Sequence, residues 1–132
     1  MNEASPPLCL WILEDDAEAR SVMVDISRSA GFNILEMGSI AELSLAFDTA
    51  IRLNVAPSGV IASLKLKDGT SDRFLMDCRK VFPSMSVFCI SSDLNPETNR
   101  LRRMGIEILV KPVGLKAFLQ VLSKTSLSSY GE

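Results

Sequence analysis

Short apolar runs in this 132-residue sequence are followed by polar side chains suited to binding a metal ion or a phosphoryl group. Three carboxylates follow the first run, small hydroxyl residues end the third and fourth runs, and lysines follow the third and fifth runs. These residues are Glu14, Asp15, Asp16, Ser63, Lys65, Ser91, Ser92 and Lys111. Carboxylate oxygens hold Mg²⁺, and lysine and serine neutralise or hydrogen-bond phosphoryl oxygens. The chemistry requires a fold that brings the ends of the runs together.

The elements that position these residues alternate between strands and helices. Five short apolar runs predict strands at Cys9–Leu13, Asn33–Met37, Gly59–Ser63, Ser86–Ser91 and Glu107–Val110. Each run is followed by a segment whose apolar residues recur at helical spacing. This alternation predicts an α/β domain with a parallel sheet covered by helices on both faces. Ligands of such sheets bind at the carboxyl ends of the strands, where the listed side chains lie.

Local signals mark where several of these elements begin. Ser39 and Glu42 form a capping-box pattern, and Asn95–Pro96 reads as an N-cap followed by proline in the first turn. Asp68–Gly69 marks a turn.

The buried stripe predicted for the last helix consists of Leu115, Phe118, Leu119 and Leu122.

The composition argues against several classes of function. The formal net charge is -2 and there is no histidine, which removes histidine acid–base catalysis and most zinc chemistry. No basic patch of the kind that binds nucleic acid stands out. The N-terminus does not read as a signal peptide, and no uncharged apolar run could cross a bilayer. Three widely spaced cysteines fit a reducing compartment. We therefore expect a cytoplasmic protein that binds neither nucleic acid nor membranes.

Three pieces of the sequence together carry a specific resemblance. The segment from Leu10 to Asp16, the pair Ser91–Ser92 and the segment Val110–Lys111–Pro112 each span the end of a predicted strand. In this order and spacing they resemble the receiver domain of response regulators in two-component signalling, over residues 8–127. The resemblance implies a flavodoxin-like, doubly wound (βα)5 fold with strand order 2-1-3-4-5. It also implies a disordered segment at 1–7 and a C-terminal tail or linker at 128–132.

The resemblance implies a role for each position of the pocket. Glu14 and Asp15 match the acidic pair that holds Mg²⁺, with Asp15 the direct ligand, and Asp16 adds a third carboxylate to this acidic pocket. Lys65 matches the position whose backbone carbonyl also ligates the metal. The switch and phosphate-pocket positions are Ser91, Lys111, Pro112 and Ile108. Of these, Pro112 often follows a cis peptide in the family, and Ile108 replaces an aromatic residue.

The main departure from the family is at the position of the phosphate acceptor. Ser63 stands where the family has an aspartate, and Lys67 stands where it has a proline. A serine hydroxyl is not ionised and needs a base before it can act as a nucleophile. The loss of one carboxylate also weakens the attraction for Mg²⁺. We expect no required cofactor, at most a weak Mg²⁺ site, and an ion pair of Lys111 with Asp15 or Glu14 in place of the metal.

The leading hypothesis is an atypical receiver that is not an enzyme and acts through protein contacts without an aspartyl phosphate. Its partner would be a histidine kinase or an effector domain, and the chain itself would be a monomer or a weak homodimer. By analogy with the family, the contact face would include Arg100, Arg103, Ile108 and Lys116.

Two alternatives remain open at this point. The domain can be phosphorylated at another residue or compete for a histidine kinase. It can also be a small phosphohydrolase whose nucleophile is Asp15 or Asp16. Two of the acidic residues have plainer explanations, since Asp16 fits a helix N-cap and Asp68 fits a turn former.

Overall fold

The computed structural model describes residues 8–130, with side chains described as far as residue 126. The strands are β1 Cys9–Leu13, β2 Asn33–Met37, β3 Gly59–Ser63, β4 Lys65–Leu66, β5 Gly69–Thr70, β6 Ser86–Ser91 and β7 Glu107–Val110. The helices are α1 Ala17–Ser29, α2 Ile40–Leu53, α3 Asp72–Val81, α4 Pro96–Arg103 and α5 Leu115–Tyr130. Among these helices, none is both long and apolar enough to cross a lipid bilayer.

Five strands form one parallel sheet in the order β2-β1-β3-β6-β7. Counted without the two short strands, this is the predicted order 2-1-3-4-5, and the flavodoxin-like fold is confirmed. The short strands β4 and β5 form a separate antiparallel hairpin that the sequence patterns did not predict. Gly69 opens β5 with φ +145°, a backbone conformation that favours glycine.

Helices cover both faces of the sheet because successive strand residues point to opposite sides. Trp11 and Leu13 of β1 belong to a core cluster that contains buried residues of α2, α3 and α4. Leu10 and Ile12 belong to a second cluster that contains buried residues of α1 and α5. The central strand β3 is buried along its whole length, which explains why its sequence is an apolar run without alternation.

The helix starts follow the predicted caps with one change of partner. Ser39 Oγ accepts from the Glu42 amide, but Glu42 Oε1 accepts from the Gly38 amide at 2.9 Å as well as from the Ser39 hydroxyl. Asn95 and Thr98 form a reciprocal capping box at α4, with Pro96 in the first turn. The start of α4 therefore has the predicted cap and proline, and in addition a hydrogen bond from the Asn95 backbone amide to the Thr98 side chain.

The predicted stripe of the last helix is partly wrong. Phe118 and Leu122 are buried, but Leu115 and Leu119 are 60% and 46% exposed. The buried face of α5 contains Val121 and Thr125 instead, which rotates it away from the predicted stripe. The helix continues to Tyr130, three residues past the boundary drawn at residue 127. The segment 1–7 lies outside the described residues.

Candidate functional site

The parallel register brings the ends of four strands, β1, β3, β6 and β7, to one edge of the sheet. Leu13 pairs with Ala62, Ser63 pairs with Ile90, and Ser91 pairs with Val110. Residues at these strand ends or directly after them therefore lie close to one another across the sheet. This register explains why Glu14, Ser63 and Lys111 meet although they are far apart in the sequence.

Ser63 and Glu14 form the buried centre of the site. The Ser63 hydroxyl donates a hydrogen bond of 2.6 Å to Glu14 Oε1. Ser63 is 1% exposed and Glu14 is 2% exposed. The other oxygen of this carboxylate, Oε2, accepts from the Asp16 backbone amide at 3.0 Å. A buried carboxylate is costly without partners, and both oxygens of Glu14 have them.

Lys111 brings a positive charge to the same carboxylate. Its Nζ lies 3.5 Å from Glu14 Oε1, and its side chain is 43% exposed. The Lys111 amide donates to the Ser91 carbonyl at 2.9 Å, which continues the pairing of β6 and β7 past the end of the strand. The peptide bond between Lys111 and Pro112 is cis. The structure thus places Lys111 against Glu14, one of the two carboxylates named for it.

Asp15 contacts the hairpin instead of this pair. Its Oδ2 accepts a hydrogen bond of 2.8 Å from the backbone amide of Lys67. Lys65 is the first residue of β4 and pairs with Thr70 across the hairpin. The two acidic neighbours therefore have different partners, since Glu14 turns into the protein and Asp15 holds the loop above it.

Asp16 caps a helix. Its side chain accepts from the amides of Glu18 and Ala19 at the start of α1, at 2.9 and 3.2 Å. The N-cap interpretation of this residue is confirmed. Its contribution to the buried pocket comes from its backbone amide, which donates to Glu14.

The Ser91 hydroxyl is directed at its own loop. It donates to the backbone carbonyl of Asp93 at 2.7 Å and accepts from the Asp93 amide at 3.4 Å. Ser92 is exposed and lines an open depression beside Lys111 and Pro112. Only Ser63 among these serines is hydrogen-bonded to an acidic side chain of the site.

The sequence patterns did not predict the contacts of three residues around the site. Ser71 is fully buried, and its hydroxyl donates to the Ser63 carbonyl at 2.7 Å. Arg20 Nη1 donates to the Glu14 carbonyl at 2.7 Å. Asp68 bridges to α2, where its two oxygens accept from the amides of Ile40 and Ala41 at 3.0 and 3.2 Å. Each of these contacts joins a side chain to a backbone group, for which no local motif exists.

The two backbone contacts of Asp68 give it an electrostatic role beyond the predicted turn. The hydrogen bond from the Ile40 amide, assisted by that from Ala41, lowers the pKa of the Asp68 carboxyl below its ordinary value. A negative charge at the first turn of a helix is stabilised by the unpaired amides there. Asp68 therefore acts as an N-terminal cap of α2 that is supplied from a distant part of the chain.

Comparison with protein-family models finds no match, and comparison with curated proteins finds none either. The fold matches solved structures over almost its whole length. A response regulator receiver domain protein (CheY-like) from Methanospirillum hungatei superposes with a TM-score of 0.80 at 18% identity, covering 96% of this chain and 100% of that chain. The non-phosphorylated HemR receiver domain from Leptospira biflexa gives 0.75 at 21% identity, covering 89% and 93%. The response regulator domain of Thermotoga maritima CheB gives 0.70 at 20% identity, covering 95% and 98%.

The chain has the receiver-domain fold. The likeness is one of architecture, at identities of 18% to 21% for these three structures. Within this fold, Glu14, Ser63 and Lys111 meet at the strand ends, which is where the sequence resemblance places the chemistry.

The predicted contact face lies at the β7 edge of the receiver fold. Ile108 is partly buried and packs against the core cluster of α2, α3 and α4. Arg100, Arg103 and Lys116 are exposed, and Arg100 Nη2 lies 3.6 Å from Asp72 Oδ2. Apolar side chains are also exposed here, namely Val110, Leu115 and Leu119. The face therefore combines positive charge with apolar surface.

Proposed function

We propose that this chain is a receiver-type signalling domain that acts through protein contacts and does not carry an aspartyl phosphate. The observation that carries the proposal is the 2.6 Å hydrogen bond from the Ser63 hydroxyl to Glu14. Ser63 occupies the position of the family's phosphate acceptor, yet its side chain is neutral and serves as a donor inside the pocket. A neutral hydroxyl is a weak nucleophile unless a base activates it. The sequence has no histidine, and the carboxylate that accepts this hydrogen bond, Glu14, is also engaged by Lys111 and by the Asp16 amide, which disfavours its use as the base.

The charge balance of the pocket supports a domain that works without a metal. A resident Mg²⁺ needs carboxylate oxygens that are free to ligate it. Here Glu14 is engaged by Ser63, Lys111 and the Asp16 amide, and Asp15 Oδ2 is engaged by the Lys67 amide. This arrangement of donors does not fit a resident Mg²⁺. We infer that Lys111 neutralises Glu14 where a metal would otherwise do so.

The switch positions also favour a fixed surface. The Ser91 hydroxyl is held by the backbone of Asp93, and Ile108 packs against the core. A ligand shifts a conformational equilibrium only by its differential affinity for the two states. A pocket that binds no phosphoryl group cannot use phosphorylation to shift the conformation of the surface at β7 and α5. The proposed domain therefore presents one surface at all times.

The exposed face at β7 and α5 indicates the chemistry of the partner. Its arginine and lysine side chains favour an acidic protein surface, and its exposed leucines favour an apolar patch within that surface. A histidine kinase or an effector domain is the proposed partner class, and the proposed location is the cytoplasm. The free cysteines fit a reducing compartment. Binding to this face does not require chemistry in the pocket, so we propose that the domain is not an enzyme.

The proposal is tested by intact mass after incubation with acetyl phosphate and Mg²⁺, for the native chain and for Ser63→Asp. We expect no phosphoryl adduct on the native chain. If only Ser63→Asp gains a phosphoryl adduct, the serine alone prevents phosphorylation of the native pocket. If neither protein gains an adduct, other residues of the pocket have also lost the ability to support the reaction. Both outcomes agree with the proposal.

An adduct on the native chain contradicts the proposal, and its stability tells where it formed. A hydroxylamine-labile adduct means that another carboxylate has become the acceptor. A hydroxylamine-stable adduct points to phosphorylation of a hydroxyl such as that of Ser63. A calorimetric titration with Mg²⁺ provides the second readout. Tight, saturable Mg²⁺ binding to the native chain would contradict the inference that Lys111 neutralises Glu14 in place of a metal.

A further inference from the structure

An apolar groove lies between the edge strand β2 and helix α2, away from the β7 edge. Its volume is about 480 Å³. Four large apolar side chains along it are exposed by 42% to 70%, namely Leu35, Leu45, Leu53 and Val55. Trp11 of β1 also lines the groove and is 5% exposed. Scattered apolar residues on a surface are ordinary, but a contiguous set along one groove marks an interaction site.

The open edge of the sheet adds to the exposure of this groove. Among the residues that the structure describes, β2 pairs only with β1, so its outer backbone groups face away from the other strands. Proteins commonly protect such an edge with charged side chains. The charge available on β2 is Glu36, whose carboxylate lies 3.2 Å from Arg20 and 3.8 Å from Arg28 of α1. That charge is drawn toward the α1 side, and Leu35 remains as the exposed side chain beside the groove.

The outer face of α2 is complementary to itself. Leu45 and Leu53 lie two turns apart, and the exposed Asp48 and Arg52 lie between them. Asp48 and Arg52 have opposite charges and lie on the same helix. A partner surface of uniformly positive or uniformly negative charge would therefore repel one of the two side chains. A second copy that packs its α2 antiparallel presents the opposite order of charges. We propose that the groove is a docking surface for a second copy of this chain.

The helix geometry gives the register of this pairing. A two-fold axis near Thr49 places Leu45 of one copy opposite Leu53 of the other, because both positions are four residues from the axis. Asp48 then lies about 3 Å along the helix from the level of Arg52 in the second copy, within reach of the arginine side chain. The two ion pairs and two leucine contacts arise together by symmetry. The self-complementary pattern favours a two-fold dimer over an open chain of subunits.

The first experiment measures self-association of the native chain by sedimentation velocity over a range of concentrations. Trp11 is the only tryptophan and lines the groove, so its fluorescence should change as the dimer forms. Leu45→Lys places two charges in the proposed interface and should raise the dissociation constant by roughly a hundredfold. The matched control is Leu119→Lys on α5, which should leave association unchanged. Leu45 and Leu119 are both exposed, so neither variant should affect folding, which circular dichroism verifies.

A charge exchange then tests the register. Asp48→Arg and Arg52→Asp should each weaken self-association by about tenfold, because each places like charges opposite one another. An equimolar mixture of the two variants should associate again, and so should the double variant. The proposal is overturned if the native chain stays monomeric at several hundred micromolar. It is also overturned if Leu119→Lys abolishes association while Leu45→Lys does not, since the dimer then forms through the α5 face.

Discussion

Replacing Ser63 with alanine is the most direct perturbation of the pocket. The Ser63 hydroxyl is one of the groups that stabilise the buried Glu14 carboxylate, at 2.6 Å. A hydrogen bond to a charged group contributes about 1.5–3 kcal/mol to stability. Because both residues are almost fully buried, water cannot readily replace the lost donor. We expect Ser63→Ala to lower the free energy of unfolding by about 2 kcal/mol, or roughly 8 °C in melting temperature for a domain of this size.

Ser71→Ala provides the matched control. This hydroxyl is also buried and makes a hydrogen bond of similar length, 2.7 Å, but its acceptor is the neutral carbonyl of Ser63. The expected loss is about 1 kcal/mol. Urea unfolding followed by circular dichroism gives both values, and the difference between them measures the contribution of the Glu14 charge.

A double-mutant cycle with Glu14→Gln isolates that contribution. Glutamine has the same shape as glutamate but no charge, so the Ser63→Ala substitution should cost about 1 kcal/mol less in this background. Two results together would contradict a stabilising contact between Ser63 and the Glu14 charge. Ser63→Ala would cost no more stability than Ser71→Ala, and its cost would be unchanged by Glu14→Gln. Ser63 would then fill space without stabilising a buried charge.

Three further predictions follow from the described contacts. Ser63→Asp should lower the melting temperature without Mg²⁺, because two carboxylates about 4 Å apart repel by about 4 kcal/mol at an effective dielectric of 20, before Lys111 offsets part of this. Mg²⁺ should restore more stability to this variant than to the native chain in calorimetry, and an equal response would contradict the charge argument. Asp68→Asn should be less stable than the native chain at pH 7. The pKa of the Asp68 carboxyl is lower in the folded protein than its ordinary value of 3.8. The charge therefore stabilises the fold above about pH 3.8, and this stabilisation is lost as the pH falls through the lowered pKa. The melting temperatures of the native chain and Asp68→Asn should therefore converge in acid. Burial raises the pKa of both Cys78 and Cys89 to about 12, so a disulfide reagent at pH 8 should modify them only after unfolding. Fast labelling of either thiol in the native protein would show that its site opens readily.

The strands were predictable from the sequence because buried parallel strands form apolar runs with clear ends. Their order was implied by the resemblance to receiver domains and not by the runs themselves. The predicted bounds of all five strands agree with those of the sheet. The meeting of Glu14, Ser63 and Lys111 was predictable for the same reason, since each lies at or directly after the end of a strand. In a parallel sheet the topology alone brings such positions together.

The parts that escaped prediction depend on contacts between distant side chains and backbone groups. Asp15 reaches the amide of Lys67, and Asp68 reaches the amides of α2, and neither pairing leaves a pattern in the local sequence. The exposure of Leu115 and Leu119 escaped for a different reason. Helical spacing shows that a helix has an apolar side, but two adjacent apolar stripes on α5 do not show which one faces the sheet.

The hairpin of β4 and β5 connects the end of β1 to the start of α2 through hydrogen bonds of its turn. Its turn is tied to the end of β1 through Lys67 and Asp15, and to the first turn of α2 through Asp68. Local opening of a protein proceeds in contiguous cooperative units. If the hairpin lifts, two amides at the start of α2 lose their acceptors at the same moment as Asp15 loses its donor. Fraying of α2 and opening of the pocket rim therefore become a single event, so a disturbance at either end of this connection reaches the other.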